Sequence, residues 1–297
     1  MRGPGYVLVV NAHAGRAARE RSEAARRVLD GASPTQVLTT TDPAQVDEAI
    51  AALDGRTLVV VGGDGTLHVA VNRLAAAGIL ASTTIGIVPA GTGNDFARSL
   101  RIPQEPVAAA RAVLACEPLS VDLLEADDGQ LAVNAVHAGL GAEASQRSVP
   151  LKDDLGPLAY PVGALVAGVR ETGWTLQVEV DGAPVSQVAR PLLMVGIANA
   201  GCIGGGTPLC APAEPDDGRL DVVVVAAVGP AARAAFGAAL QRGRHLARDD
   251  VEHVRGHDVR ISGDPVRYNA DGELSRPLRQ RRYRIRPAAW RVLAPPR

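Results

Sequence analysis

Two glycine-rich segments could bind phosphate groups. They are GGDGT at residues 62–66 and AGTGND at residues 90–95, and each follows an apolar run and precedes a helix-like pattern. Glycine allows close approach of a ligand to the backbone, and the amino end of a following helix carries partial positive charge. For a single segment, turn geometry alone is the competing explanation. NAHAG at residues 11–15 is a third loop of this kind, so the three together favour a phosphate site.

The lysine content excludes two common nucleotide-binding motifs. Lys152 is the only lysine, and the other 30 basic residues are arginine. A Walker A loop requires a lysine near its end, and a protein kinase requires one on the strand beside its glycine loop. A GxGxxG dinucleotide motif after the first strand is also missing. The sequence therefore predicts phosphate binding by backbone amides, threonine hydroxyls and a metal ion.

Several acidic residues could serve phosphoryl transfer. Asp64 and Asp95 lie inside the glycine loops, where an unpaired carboxylate would repel a nucleotide, so we expect them to hold Mg²⁺. Helix capping is the alternative for both. Glu273 follows an Asp-Gly turn and by itself indicates only a solvated acid, and DDG at residues 216–218 by itself indicates a β-turn.

The elements that position these residues follow two patterns. From Tyr6 to about Cys116, β-branched runs alternate with Ala-rich amphipathic segments, which predicts βα units around a parallel sheet. The predicted strands are residues 6–11, 35–40, 57–63 and 84–90, and the predicted helices are residues 17–29, 43–53, 67–77 and 106–115. Both glycine loops would then lie at the carboxyl ends of strands, where open α/β sheets bind ligands.

The chain after about Ser120 has the pattern of a mainly antiparallel β region. Asp181-Gly182 between two strand-like runs predicts a type I′ hairpin. The predicted strands are residues 121–126, 131–136, 174–180, 184–189, 192–200, 220–228 and 266–270, and the predicted helices are residues 158–171 and 230–242. We therefore expect an α/β nucleotide-binding domain, residues 1–120 completed by about 288–297, and a β-rich substrate domain, residues 121–287.

Composition narrows the class of protein. The chain has 297 residues, of which 46% are apolar, and a net charge of −1, so we expect a folded protein that does not bind nucleic acid. Three irregularly spaced cysteines favour a reducing cytoplasm. No signal peptide or transmembrane segment is predicted. Oligomeric state stays open, a homodimer included.

Five motifs in one order resemble the catalytic region of the diacylglycerol kinase family, especially its small soluble bacterial lipid kinases. GGDGT alone is shared with phosphofructokinases and NAD kinases, but PAGTGNDFAR begins 27 residues after it. The resemblance extends to ANAGCIGGG at residues 198–206, APAEPDDGRLDV at residues 211–222 and NADGE at residues 269–273. It implies a nucleotide domain of the phosphofructokinase and NAD kinase type, together with a β-rich second domain.

The resemblance also implies an activity: transfer of phosphate from ATP, with Mg²⁺, to a lipid hydroxyl such as that of diacylglycerol. Glu273 would be the general base, and Asp217 would bind a second Mg²⁺ with backbone oxygens of Glu214 and Arg219. The residues implied to bind ATP are Asn11, Gly15, Thr40, Gly62, Gly63, Asp64, Gly65, Thr66, Leu67, His68, Gly91, Thr92 and Asn94. His68 and Val69 depart from the Asn and Glu that relatives often carry.

Two alternatives remain at this stage: an NAD kinase-like or other small-molecule kinase, and an inactive lipid- or nucleotide-binding regulator. If the substrate is a lipid, the protein must reach it at a membrane surface and associate with that surface transiently. On a strand, the run at residues 276–286 would place Arg282, Arg284 and Arg286 on one face, either as a solvated edge or as a contact for anionic headgroups.

Two histidines raise the question of a zinc site. His253 and His257 are four residues apart, but Gly256 intervenes and no third ligand is near in sequence. Zinc sites need three or four ligands. The sequence therefore favours a solvated turn here and not a metal site.

Overall fold

The structure, a computed structural model, describes residues 5–11, 16–40, 42, 45–140, 142, 173–185 and 191–296. The chain divides into two compact units. The first unit comprises Met1–Leu123, Pro215–Asp217 and Pro287–Arg297, and the second comprises Leu124–Glu214 and Gly218–Arg286.

The first unit is built on a parallel sheet with strand order β2-β1-β3-β4. Its strands are β1 (Tyr6–Asn11), β2 (Thr35–Thr40), β3 (Thr57–Gly62) and β4 (Thr84–Pro89). The centre of β3 is a buried valine run, as expected for a parallel strand covered on both faces. The end of the last strand, β18 (Leu278–Leu293), lies parallel to β4 with Arg291 opposite Thr84.

Helices follow the strands of the first unit. They are α1 (Arg16–Asp30), α2 (Gln45–Ala51), α3 (Asp64–Ala76), α4 (Asp95–Ser99) and α5 (Pro106–Ala115), with a 3₁₀ turn at Leu80–Ser82. Helix α5 has the predicted bounds, with Glu105 accepting hydrogen bonds from the first-turn amides and proline in the first turn. The prediction that α3 begins at Leu67 is wrong, because Gly63 is already the N-cap residue and Gly65 lies inside the helix.

The second unit contains one antiparallel sheet with strand order β14-β13-β10-β7-β16-β17. Its strands are β7 (Ala135–Gly139), β10 (Met194–Ala198), β13 (Leu220–Val225), β14 (Val251–Gly256), β16 (Tyr268–Ala270) and β17 (Glu273–Leu274). Helix α6 (Pro230–Gln241) ends one residue before its predicted end, and a 3₁₀ turn follows at His245–Ala247.

A second set of antiparallel strands in this unit has the order β18-β15-β8-β9. Its members besides β18 are β8 (Leu176–Val180), β9 (Ala183–Pro184) and β15 (Asp258–Val266). Buried side chains of both sheets, including Val178 and Tyr283 from one and Val195 and Val222 from the other, form one core. The second unit is therefore a β-sandwich.

The remaining strands are short or shared. They are β5 (Pro118–Ala126), β6 (Leu131–Ala132), β11 (Cys202–Ile203) and β12 (Thr207–Pro208). Residues 118–123 of β5 belong to the first unit and the rest to the second.

The predicted fold class, a parallel α/β part and a mainly antiparallel β part, is confirmed. Asp181 and Gly182 have φ angles of 50° and 80°, as the predicted type I′ turn requires.

The prediction of a solvated turn around His253 is wrong, because this residue lies on strand β14. The predicted helix at residues 158–171 and the end of the strand predicted at residues 184–189 lie outside the described residues. No helix in the described ranges is long and apolar enough to cross a bilayer.

Candidate active site

The parallel strands of the first unit bring their carboxyl ends to one edge of the sheet. Asn11 and Thr40, the last residues of β1 and β2, lie opposite each other. Gly62 and Pro89, the last residues of β3 and β4, are likewise opposite each other. The predicted nucleotide-binding residues therefore collect at the edge where open α/β sheets bind ligands. Gly15 lies outside the described residues.

The two glycine loops touch each other through their backbones. A Cβ atom added to Gly91 would lie 2.5 Å from the Cα atom of Gly63, closer than any carbon atoms pack. The N–H of Ala90 also donates to the carbonyl oxygen of Gly62 at 2.9 Å. Glycine at position 91 is thus required by the contact between the loops, whereas a Cβ added to Gly63 would lie 3.0 Å from the Cα atom of Gly91. By contrast, a Cβ added to Gly65 would meet no atom of the described residues within 4 Å.

The carboxylate of Asp64 joins the first loop to the helix after the second. Its Oδ2 atom accepts a hydrogen bond from the N–H of Asp95, and its Oδ1 atom accepts one from the N–H of Phe96, both at 3.1 Å. Asp64 therefore caps helix α4, as in the capping alternative. Its role in holding Mg²⁺ stays a prediction. Asp95 is buried, with 3% of its surface exposed.

Asn94 shapes the second loop. Its φ angle is 55°, in the left-handed region that asparagine tolerates better than most residues. Its side chain accepts from the N–H of Gly91 and donates to the carbonyl oxygen of Gly91, both at 3.0 Å. The side chain predicted to contact ATP thus holds the loop closed, whereas Thr92 beside it is exposed.

The amino ends of the helices near the loops differ in their capping. The first-turn amides of α4 bind Asp64, and those of α5 bind Glu105. The N-cap residue of α3, the longest of the three helices, is Gly63, which has no side chain that could cap the helix. The positive end of the α3 dipole is therefore the one suited to a phosphate group. Leu67 and His68 on α3 are buried, so their side chains face the interior.

In the second unit, Glu273 lies directly after a tight turn between β16 and β17. Asp271 and Gly272 have φ angles of 51° and 104°, and Ala270 pairs with Glu273 across the turn. A two-residue turn with two positive φ angles fixes the register of the strands. Glu273 is exposed at the start of β17, which leaves its carboxylate accessible to a substrate.

Sequence reasoning missed the role of Asp271. Its carboxylate accepts backbone hydrogen bonds from Val133 at 2.6 Å, Asn134 at 2.9 Å and Ala135 at 3.0 Å. These bonds fasten the turn before Glu273 to the segment that leads into β7. The positive φ angle was signalled by the Asp-Gly pair, but a partner more than a hundred residues away left no sequence signal.

His137 lies on strand β7 of the second unit and is buried. Burial lowers the pKa of its imidazole to about 4, although the negative charge of Asp271 acts in the opposite direction. A buried imidazole resists protonation because the charged form loses its hydration. His137 is therefore neutral at physiological pH.

The residues predicted to bind a second Mg²⁺ are all at the surface. Glu214, Asp217 and Arg219 are exposed, and Gly218 has a φ angle of 74°. Asp217 belongs to the first unit, and Glu214 and Arg219 belong to the second. The second metal site stays a prediction.

The arginines of β18 alternate with buried residues, as predicted. Arg282, Arg284 and Arg286 are exposed, and the side chains between them are buried. The Nε atoms of Arg282 and Arg284 each donate to Asp258 at 2.8 Å, and Arg286 lies 3.5 Å from Glu125. Partial burial raises the pKa of Asp258, but the two arginines outweigh it and hold that pKa below its usual value. The negative charge of Asp127 also acts on Arg282, so acidic neighbours offset much of the charge of these arginines.

Comparison with known families assigns both halves of the chain. Residues 5–126 match the family described as the diacylglycerol kinase catalytic domain. Residues 134–294 match the YegS C-terminal NAD kinase beta sandwich-like domain. The fold and its loops thus define a kinase with a diacylglycerol kinase catalytic domain and a β-sandwich.

Two relatives narrow the class of kinase to which this chain belongs. A protein of Xanthomonas campestris is 34% identical over 258 residues, which cover 83% of this chain and 80% of the relative. A protein of Pseudomonas aeruginosa PAO1 is 36% identical over 265 residues, which cover 84% and 80%. Both are named "Probable lipid kinase YegS-like". This chain belongs to the family of YegS-like lipid kinases, as the resemblance predicted.

Solved structures show the same fold. The crystal structure of a diacylglycerol kinase from Bacillus anthracis has a TM-score of 0.78 at 23% identity and covers 100% of this chain and 99% of its own. Yeast NADH kinase complexed with NADH has a TM-score of 0.52 at 14% identity and covers 98% of this chain and 83% of its own. The predicted NAD kinase-like architecture is confirmed.

Proposed function

We propose that this protein transfers the γ-phosphate of ATP to the hydroxyl group of a membrane lipid, with diacylglycerol as the acceptor and phosphatidic acid as the product. The observation that carries the proposal is the joined pair of glycine loops, in which Gly63 touches Gly91 and Asp64 caps helix α4. The lipid kinase family of the chain supports a lipid as the acceptor.

The nucleotide would lie along the carboxyl edge of the parallel sheet. Asn11 and Thr40 end neighbouring strands there, and the amino end of α3 offers backbone amides and the hydroxyl of Thr66 to the phosphates. No atom in the described ranges lies within 4 Å of a Cβ placed on Gly65, which supports such an approach. These groups can bind phosphate without a lysine, which agrees with the absence of lysine from the loops.

Mg²⁺ fits the acidic residues of the loops. Carboxylates are ligands that Mg²⁺ prefers, and a carboxylate oxygen that accepts one hydrogen bond keeps a second lone pair. Asp95 and Asp64 would therefore organise the metal while Asp64 also holds α4. Bound with ATP, Mg²⁺ would neutralise charge on the phosphates.

Glu273 would act as the general base. Its carboxylate takes the proton of the lipid hydroxyl, the hydroxyl oxygen forms a bond to the γ-phosphorus, and the bond from that phosphorus to the bridging oxygen breaks to release ADP. The turn fastened by Asp271 supports this role, because a base must be held within hydrogen-bonding reach of its proton.

The exposed arginines of β18 support a membrane surface as the place of reaction. The three arginines pair with Asp258 and Glu125, and the negative charge of Asp127 also acts on Arg282, so their positive charge is largely offset. A basic residue near an anionic surface contributes about 1 kcal/mol to binding. This attraction is weak enough for the association to be transient.

Labelled phosphate transfer tests the proposal. Three proteins would be compared: wild type, Glu273→Gln and the matched control Glu117→Gln. Each would be given Mg²⁺ and ATP labelled at the γ-phosphate. The acceptor would be diacylglycerol, phosphatidylglycerol or a sphingoid base in mixed micelles, or NAD without micelles. We expect transfer to diacylglycerol that falls by about 10²- to 10⁴-fold only in Glu273→Gln, with ATP binding retained. Transfer to NAD alone would overturn the proposal in favour of a small-molecule kinase, and no transfer to any acceptor would favour a regulator.

A further inference from the structure

Three side chains with metal-binding atoms meet in the second unit. The Nε2 atom of His253 lies 2.6 Å from Oδ1 of Asp221 and 3.4 Å from Sγ of Cys210. One ligand atom from each of the three lies within 4.8 Å of the others. None of these residues belongs to the glycine loops, to the turn of Glu273 or to the predicted Mg²⁺ ligands. The cluster thus needs an explanation of its own.

Separate segments hold the three side chains in place. Asp221 lies on β13 and His253 on the paired strand β14, two residues out of register, so both project from the same face of the sheet. Cys210 follows β12, where its N–H donates to Gly201 at 3.0 Å and its carbonyl oxygen accepts from Ala213 at 2.9 Å. Backbone hydrogen bonds therefore fix the positions of these three residues before any ion binds.

One oxygen of the Asp221 carboxylate lacks a hydrogen-bond partner in the described part of the chain. Asp221 is fully buried, and among the described residues none is a hydrogen-bond partner of its Oδ2 atom. Its Oδ1 atom is close to His253 and also lies 3.4 Å from Nε of Arg255. Buried polar atoms without a partner are rare in folded proteins. An ion bound between Asp221 and its neighbours would satisfy this oxygen.

The thiol of Cys210 lies against that carboxylate. Burial raises the pKa of Cys210 to about 12, and the negative charge of Asp221 acts in the same direction. A divalent ion would replace the proton, since thiolate is the form that binds metals.

We propose that Cys210, Asp221 and His253 bind a zinc ion, with a water molecule as the fourth ligand. Thiolate, imidazole and carboxylate are the three ligand types that zinc takes in proteins, whereas Mg²⁺ takes oxygen ligands in octahedral geometry. The ion would join β13, β14 and the segment after β12.

The distances suit a tetrahedral ion after a small adjustment. Bonds of about 2.0 Å to nitrogen and about 2.3 Å to sulfur place tetrahedral ligands roughly 3.5 Å apart. The distance between Cys210 and His253 is already 3.4 Å. The 2.6 Å contact between His253 and Asp221 would have to open by roughly 1 Å, or the unsatisfied Oδ2 would bind instead.

The charges also balance. One thiolate and one carboxylate neutralise a divalent ion, and the imidazole adds no charge when it binds as a neutral ligand. Arg255 beside Asp221 is 37% exposed, so water screens its repulsion of the ion. The His253 side chain is 23% exposed, which gives the ion a route from solvent.

Cobalt spectroscopy tests the site without using kinase activity. The full chain would be stripped with a chelator, placed in excess Mg²⁺ and titrated with Co²⁺, which takes similar ligands and gives a thiolate-to-metal charge-transfer band. We expect one Co²⁺ per chain and such a band in wild type and in the matched control Cys202→Ala, which replaces another cysteine of the same unit. The band should be absent in Cys210→Ala.

Zinc competition completes the test. Zn²⁺ should displace Co²⁺ and raise the melting temperature of the wild type, and His253→Gln should weaken Zn²⁺ binding by at least about 100-fold, because even residues that only orient a ligand contribute 10- to 100-fold. His253 is partly exposed, so this variant should fold, as circular dichroism would verify. A wild type without the band, or a band that persists in Cys210→Ala, would overturn the proposal.

Discussion

The carboxylate of Asp64 accepts a hydrogen bond from the backbone N–H of Asp95 at 3.1 Å, although the two residues lie 31 positions apart. The adjacent N–H of Phe96 binds the other oxygen, and the Phe96 ring stacks on Trp290 with centroids 5.5 Å apart. One aspartate thus connects the first glycine loop to a helix anchored in the core. Because it occupies the amino end of α4, a phosphate group is expected at α3.

Replacing Asp64 by asparagine should loosen this connection. The amide nitrogen of asparagine cannot accept a hydrogen bond, so one of the two amides of α4 loses its partner. We expect a loss of about 1 kcal/mol in the free energy of unfolding and a fall of roughly 100-fold in phosphate transfer, since misplacement of a site by about 1 Å can have that effect. Thermal melting and initial rates measure the two. Asp54→Asn, at an exposed turn of the same unit, is the control. Unchanged transfer in Asp64→Asn would contradict the role given to this residue.

Two glycines of the loops should respond differently to alanine. Gly91→Ala places a Cβ atom 2.5 Å from Gly63, so we expect a loss of about 1–3 kcal/mol in stability as the loops separate. In Gly65→Ala the added Cβ meets no atom of the part of the chain that the structure describes within 4 Å, and residue 65 lies inside α3, so stability should stay or rise by up to about 1 kcal/mol.

The KM for ATP is a second measurement on these two glycine variants. If phosphate approaches the backbone at Gly65, the added methyl group should raise the KM for ATP roughly tenfold, a change of about 1.4 kcal/mol. Melting curves and ATP saturation curves of both variants decide the matter. An unaltered KM in Gly65→Ala would place the phosphates elsewhere.

The sequence predicted the parallel strands well and part of the β-sandwich poorly. Strands such as β3 are apolar throughout because helices cover both faces, so their bounds can be recognised locally. β14 and β15 were missed because many of their residues are exposed and polar. Similarly, Cys210 and His253 lie 43 positions apart, and only the pairing of β13 with β14 brings them together. Contacts between distant segments leave no local pattern.

Asp271 provides a test of how Glu273 is positioned. In Asp271→Asn, the side-chain nitrogen would face the N–H of Val133, which leaves a donor without an acceptor. We expect a loss of about 1–3 kcal/mol in stability. The kcat should fall while the KM for ATP stays constant, because the turn holds the base and not the nucleotide. Asp249→Asn, at an exposed position of the same unit, should change neither. A higher KM for ATP with unchanged kcat would count against this positioning role.

His137 should make the stability of the protein depend on pH. Its folded-state pKa is about 4, whereas an unfolded histidine titrates near its usual value of about 6.5. As the pH falls from about 6.5 towards 4, His137 therefore binds a proton in the unfolded chain but not in the folded chain, and stability is lost in this pH range. The difference of roughly 2.5 units corresponds to about 3 kcal/mol at most.

The slope of stability against pH isolates this contribution. Denaturant unfolding at a series of pH values between 7 and 4 should show a steeper loss in wild type than in His137→Gln, even if the variant is less stable overall. A residual slope is expected, because burial also lowers the pKa of His245. His257→Gln, at a side chain that is 60% exposed, controls for the loss of an imidazole at the surface. If His137→Gln and wild type lose stability in parallel, then the pKa of His137 does not differ between the folded and the unfolded protein, and its imidazole binds a proton in the folded protein well above pH 4.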